Sequence, residues 1–175
     1  MVNNVHMAGS DLVIRAASPD DAGALAEAWV EFGRYYENLN PVRFRVPKEE
    51  GLVEWEEEKL REEPGEDRIW LVAERAGRLV GYIVAAVWNP QDEADREIMR
   101  ELGETTLRVH ALMVTEDERR KGVGRALMEA TEDWGRDKGA SMATVISYAH
   151  SPTSVPFYEE GTGYARTTIG YTKNL

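Results

Sequence analysis

Leu112-Met113-Val114-Thr115-Glu116-Asp117-Glu118-Arg119-Arg120-Lys121-Gly122-Val123-Gly124-Arg125-Ala126-Leu127 is the most informative stretch of the chain. An apolar strand ends, a polar turn follows, and a helix opens on two glycines. Helix starts leave backbone N–H groups without partners and carry the positive end of the dipole. A diphosphate suits that environment. Gly122 and Gly124 let backbone approach phosphate oxygens where a Cβ would intrude. Arg119, Arg120, Lys121 and Arg125 add positive charge to an otherwise acidic chain. The bland alternative is an ordinary helix start with basic surface residues. A Walker loop is excluded, because no Gly-Lys-Ser/Thr follows. The Gly-x-Gly-x-x-Gly dinucleotide fingerprint is excluded too, since Leu127 stands where its third glycine belongs.

Upstream and downstream, strands and helices alternate irregularly. Leu12 to Ala16 reads as a strand. Ser18-Pro19-Asp20-Asp21 then starts a helix, with Ser18 able to cap, Pro19 suited to the first position and the aspartates favouring the dipole. Leu25, Ala28, Trp29, Phe32 and Tyr36 recur at helical spacing, and Asn40-Pro41 breaks it. A second helix carries Leu52, Val53, Trp55 and Leu60, with Pro64-Gly65 as its stop. Ile69 to Glu74 and Leu79 to Trp88 read as a hairpin around Arg75-Ala76-Gly77-Arg78, the second strand buried on both faces. The polar insert from Gln91 to Thr105 has only modest helical spacing. Leu107 to Val114 is a further strand. Val123, Leu127, Ala130 and Trp134 mark the buried face of the next helix, with Gly139 just past its end. Met142 to Tyr148 reads as a strand, Val155 to Glu160 as a short helix, and Thr167 to Lys173 as a closing strand. This order predicts an α/β (α+β) fold with a mixed, mostly antiparallel central sheet and helices on both faces. Residues 1–10 read as a disordered leader, and 11–175 as one domain.

Composition narrows the function. The formal net charge of −11 argues against a general nucleic-acid binder. No apolar run approaches the roughly 20 residues that span a bilayer, and no signal peptide precedes the first strand. There are no cysteines, so thiolate metal sites and cysteine nucleophiles are excluded, and a reducing cytoplasm is the expected compartment. His6, His110 and His150 stand too far apart for zinc-ligand spacing, so no metal is expected. Residues 48–67 hold ten acids against three bases. That run is a solvated helix face or an acidic wall that attracts a cation.

Two motifs in order resemble a known family. Arg119-x-x-Gly122-x-Gly124, preceded by Leu112-x-Val114, resembles the Arg/Gln-x-x-Gly-x-Gly/Ala signature of the GCN5-related N-acetyltransferases (GNAT). Downstream, Ser151-x-x-Ser154-x-x-Phe157-Tyr158-Glu159-Glu160-Gly161-Thr162-Gly163-Tyr164 is similar to the family's Asn-x-x-Ala-x-x-Leu/Phe-Tyr-x-x-x-Gly-Phe element. Ser151 and Ser154 replace the usual Asn and Ala, and the Tyr158 to Gly163 spacing is one residue longer. The resemblance runs from about Leu12 to the end, the insert excepted.

The resemblance implies acetyl-CoA as co-substrate and direct acetyl transfer to a primary amine in a ternary complex. Leu112, Met113 and Val114 would pair with the pantetheine arm beside a bulge in their strand. Arg119, Arg120, Lys121, Gly122, Val123, Gly124 and Arg125 would hold the pyrophosphate, and Ser151 and Ser154 would line the cofactor. Tyr158 would protonate the departing thiolate, the alternative being a packing tyrosine beside Phe157 and Tyr164. For the base, His110 stands first, with His150, Glu31 and Glu104 as others. The acceptor segment of the family corresponds to about Phe32 to Glu58, whose acids favour a cationic small molecule or peptide amine. Homodimers are common in the family, with the closing strand as a contact. A non-catalytic acyl-CoA-binding module and a nucleotide- or phosphate-binding protein are the competing readings.

Overall fold

The structure, a computed structural model, describes residues 5–6, 11–61 and 65–173. The chain forms two compact units, Met1–Val145 and Ile146–Leu175.

The first unit is built on a six-stranded sheet ordered β1 (Val5–His6), β2 (Leu12–Ala16), β3 (Arg68–Arg75), β4 (Arg78–Trp88), β5 (Thr106–Val114) and β6 (Met142–Val145). All neighbours are antiparallel except β5 and β6, so the sheet is mixed as expected. Two residues of the leader, Val5 and His6, pair with Ile14 and Val13. The β3–β4 turn places Ala76 and Gly77 at positive φ, which matches the right-handed twist of the hairpin strands.

Side-chain alternation sorts the sheet into two buried faces. Val72, Tyr82 and Met113 form one core with Leu25 and Ala28 of α1 (Ala22–Leu39) and with Leu60 of α2 (Leu52–Arg61). The other face carries α3 (Val123–Asp137), whose Val123 and Leu127 side chains lie over Gly81 and whose Gly135 abuts Leu107. The strands β3 and β4 therefore lack polar alternation because both of their faces are covered.

The start of α1 has the expected residues, with Ser18 as the N-cap, Pro19 at the first position and a capping box between Ser18 and Asp21. A 3₁₀ turn, Pro19–Asp21, precedes the helix. Ser18 N–H and Ser18 Oγ both donate to Asp21 Oδ2, at 2.8 and 3.2 Å. The expected stop of α2 at Pro64 lies outside the described residues. The insert forms two 3₁₀ turns, Ala94–Arg96 and Arg100–Gly103. Among the described residues, no helix is long and apolar enough to cross a membrane.

Two expected strands fall short. The strand expected over Met142 to Tyr148 stops at Val145, because its ladder with β5 ends at Val109. No strand forms over Thr167 to Lys173, whose residues are exposed. β-branched and aromatic residues favour a strand only where a ladder and a packed face receive them. The second unit instead contains a helical turn, α4 (Ser154–Pro156), continued by a π-helical turn, Phe157–Gly161.

Candidate functional site

A site opens along β5. Its first half, Thr106 to Val109, pairs in parallel with Met142 to Val145. On the opposite edge, β4 stays in register with β5 to Val109, skips His110, and resumes at Ala111. His110 is the extra residue of a β-bulge, which bends its strand and interrupts the ladder. Beyond it, among the described residues, Ala111, Leu112, Met113 and Val114 have a strand partner on β4 alone. Their outer N–H and C=O groups form an edge to which an extended ligand can add.

That edge leads into the glycine loop. Thr115 N–H donates to Val80 O at 3.0 Å, a 3₁₀ turn spans Glu116–Glu118, and Arg120 and Gly122 take φ of 61° and 85°. The reversal delivers the chain into α3, whose first helical hydrogen bond runs from Ala126 N–H to Gly122 O at 3.0 Å. The N–H groups of Val123 and Gly124 begin the helix, at the positive end of the dipole. No atom lies within 4 Å of the position a Cβ on Gly122 would take. Within this chain the left-handed backbone, rather than crowding, selects glycine there.

The loop's basic residues divide into two pairs. Buried Glu118 gathers Arg75, Lys121 at 3.1 Å and Arg78 at 3.7 Å. Arg119 Nε donates to Val114 O at 3.2 Å, its Nη2 lies 3.7 Å from Glu31, and its guanidinium sits 4.9 Å from the Tyr35 ring centroid. Glu31 also accepts the Glu116 N–H at 2.9 Å. Arg119, partly buried, braces the loop from inside, and Lys121 ties it to Glu118 from an exposed position, as Arg120 and Arg125 are exposed too. The strand edge, the left-handed turn and the helix start thus lie end to end, and backbone N–H groups in such a turn and at a helix start favour anions.

The family model described as "Acetyltransferase (GNAT) family" matches residues 30–164. The chain belongs to the GNAT acetyltransferase family. Solved structures share its fold at low identity. A mutant BH1408 protein from Bacillus halodurans is 17% identical with a TM-score of 0.74, covering 93% of this chain and 99% of that one. A ribosomal-protein-alanine N-acetyltransferase from Brucella melitensis biovar Abortus 2308 is 19% identical with a TM-score of 0.64, covering 94% and 99%. An aminoglycoside acetyltransferase from an uncultured soil metagenomic sample, solved with sisomicin, is 18% identical with a TM-score of 0.63, covering 94% and 97%.

In this GNAT chain the bulge residue His110 has its pKa held below the ordinary histidine value. Partial burial of the ring is the first cause, and the charges of Arg68 and Arg108 add to it. That direction favours the neutral imidazole, the state a proton acceptor needs. The other candidate bases are engaged elsewhere. Glu31 holds the loop as described, and Glu104 Oε2 accepts Ser141 Oγ at 2.5 Å. His150, in the second unit, meets the Tyr148 ring edge-on at 5.5 Å. The side chain of His6 lies outside the described residues.

Tyr158 lies in the π-helical turn of the second unit. Its ring meets Phe157 at 5.2 Å and Tyr164 at 5.9 Å, and its carbonyl accepts the Tyr164 N–H at 2.9 Å and Thr162 Oγ1 at 3.1 Å. Ser151 is buried, and its Oγ accepts the Ser154 N–H at 3.2 Å. Ser154 Oγ in turn accepts from Ser147 Oγ at 2.8 Å. Both serines order the turn that presents Tyr158.

Sequence reasoning missed several residues on the α1–α2 face. Lys59 Nζ lies 3.5 Å from the Trp55 ring centroid, 5.1 Å from that of Trp70 and 2.8 Å from buried Glu56. Much of the acidity of 48–67 is paired in this way. Glu57 meets Arg61, Glu49 meets Arg34 at 3.3 Å, and Glu50 meets Lys48 at 2.6 Å. The charges nearest His110 are instead those of Arg68 and Arg108, brought together by the β3–β4–β5 register across a separation that leaves no local trace in sequence. For Tyr35 a signal existed, since Glu31 and Tyr35 share one helix face at four-residue spacing.

Proposed function

We propose that this chain transfers the acetyl group of acetyl-CoA to a primary amine of a small molecule or peptide, by direct attack in a ternary complex. The observation that carries the reading is the bulge at His110. The β5–β6 ladder ends just before it, and among the described residues the β5 edge beyond it, which leads into the amino-terminal end of α3, has a strand partner on β4 alone. Pantetheine amides would pair with that edge, and the pyrophosphate would sit on the N–H groups ahead of Ala126.

Placing thioester and amine side by side removes much of the entropic barrier. The neutral amine attacks the thioester carbonyl carbon, and a C–N bond forms as the carbonyl oxygen gains negative charge. A backbone N–H beside the bulge stabilises that oxygen. His110 takes the amine proton, directly or through a water. The C–S bond then breaks, and Tyr158 gives its proton to the thiolate. The role of Tyr158 rests on its match to the family motif, with its presentation on a hydrogen-bonded π turn in support.

Thiol release from acetyl-CoA, screened across amines, tests the activity. Tyr158→Phe is expected to lower kcat by 10- to 1,000-fold while acetyl-CoA affinity stays within twofold. Cofactor binding with no turnover for any amine would favour a non-catalytic acyl-CoA-binding module. Exclusive binding of ATP would end the acetyl-CoA reading.

A further inference from the structure

Next to the bulge, on the face covered by α1 and α2, Arg68, Ala86 and Arg108 form one row across three strands. The register pairs Arg68 with Ala86 and Ala86 with Arg108. Side chains of paired residues share a face, and the next row is Trp70, Val84 and Ala111. Two strand spacings set the Arg68 and Arg108 Cα atoms about 10 Å apart, with only the alanine methyl between them. Both charges reach His110.

Neither arginine has a carboxylate partner among the described residues, in a chain of net charge −11. The contrast with Arg15, Arg75, Arg78 and Arg119 is direct, since each of those meets at least one carboxylate. Arg108 is held differently. Its guanidinium lies 4.1 Å from the ring centroid of Trp88, which is half exposed. Stacking uses the faces of a guanidinium and leaves its N–H edge free, and that edge matches the two oxygens of a carboxylate or phosphate.

Two cations without a carboxylate partner among the described residues oppose the task of a base beside them, because they disfavour the imidazolium that forms when His110 accepts a proton. An anion docked between them removes that opposition. We propose that Arg68 and Arg108 are an oxyanion-docking pair, and that the acceptor is an amine that also carries a carboxylate or phosphate, of the amino-acid or amino-phosphate type. This inference rests on the acetyltransferase reading above. It reverses the charge expected from the acidity of residues 48–67. It also couples chemistry to recognition, since His110 becomes a stronger base when the correct acceptor is seated.

The test uses matched acceptors that differ only in the anion: phenylalanine against phenethylamine, and O-phosphoethanolamine against ethanolamine. The two pairs distinguish carboxylate from phosphate. The expected result is at least a tenfold higher kcat/KM for one or both anionic members, carried mainly by KM. Arg68→Gln and Arg108→Gln should each erase most of that preference while leaving the KM for acetyl-CoA unchanged. A second readout needs no turnover. The NMR titration midpoint of the His110 ring should rise when the whole protein is saturated with N-acetylglycine or N-acetyl-phosphoethanolamine, and should not respond to either in the Arg108→Gln variant. Preference for the amines that lack the anion, an anion preference that survives both substitutions, or a His110 midpoint insensitive to both anions would overturn the proposal. Failure of acetyl-CoA to bind would strike the acetyltransferase reading instead, and the His110 titration would still decide whether the pair takes an oxyanion.

Discussion

Arg119 begins the family signature, yet its side chain is spent inside the protein. Its Nε holds the last carbonyl of β5, and its guanidinium reaches Glu31 and Tyr35 on α1. One residue therefore ties the end of the strand edge, the glycine loop and the first helix. Removing it should loosen the loop rather than delete a phosphate contact. Arg119→Ala is expected to raise the KM for acetyl-CoA by about tenfold, with kcat changed less. Arg119→Lys should rescue little, because an ammonium lacks the planar fork and the stacking face. Steady-state kinetics on both variants check this, and full rescue by lysine would show that charge alone matters.

Elements place the site through two close fits. Gly81 lies where β4, β5 and α3 converge. A Cβ there would stand 2.7 Å from Met113 O and 3.3 Å from side-chain atoms of Val123 and Leu127. The carbonyl belongs to the β5 edge and cannot turn aside without moving the strand. Gly81→Ala is expected to destabilise by about 1–3 kcal/mol through overpacking. Gly122→Ala acts on a different property, since its φ of 85° is the problem and space is not. A left-handed alanine costs about 1–2 kcal/mol. Thermal denaturation should therefore show the larger loss at Gly81, and acetyl-CoA KM the larger rise at Gly122. The reverse order would mean that the reversal into α3 does not shape the cofactor loop.

At the scale of the whole molecule, one ion-pair cluster joins the first helix to the sheet. Arg15 on β2 donates to both oxygens of Asp21 at 2.8 Å and to Glu74 on β3 at 3.1 Å. Burial alone would raise the Asp21 pKa, but the Arg15 hydrogen bonds and the Ser18 N–H overcome it and hold the carboxyl below its usual range. A carboxylate with a depressed folded pKa stabilises fully above its unfolded value of about 3.9, and that stability disappears as pH falls through the folded value. Asp21→Asn is expected to cost about 1–3 kcal/mol at pH 7 and to flatten the fall in stability below about pH 4. Urea denaturation at pH 7 and pH 3 checks both, and an equal loss at the two pH values would remove Asp21 from the acid response.

The legible part of this protein was local. The 3.6-residue recurrence from Leu25 to Tyr36, the apolar runs of β3 and β4, the hairpin at Ala76-Gly77 and the glycines at 122 and 124 each express a constraint satisfied within a few residues. Periodicity and φ preference are properties of neighbours, so the chain alone determined the order of elements from β2 to α3 and, with two spaced motifs, the family. What failed depended on distant partners. Ile146 to Tyr148 and Thr167 to Lys173 have strand chemistry but no ladder, since pairing is decided by what another segment offers. The tertiary structure alone placed His110 on a bulge, because a bulge is a mismatch of two strands and belongs to neither sequence. It alone set Arg68 and Arg108 in one row, 40 positions apart in the chain, and it alone brought Arg34 of α1 to Glu49. Charge counted along a sequence is a sum over residues, whereas the field at a reacting atom depends on inverse distance, and distance is what folding supplies.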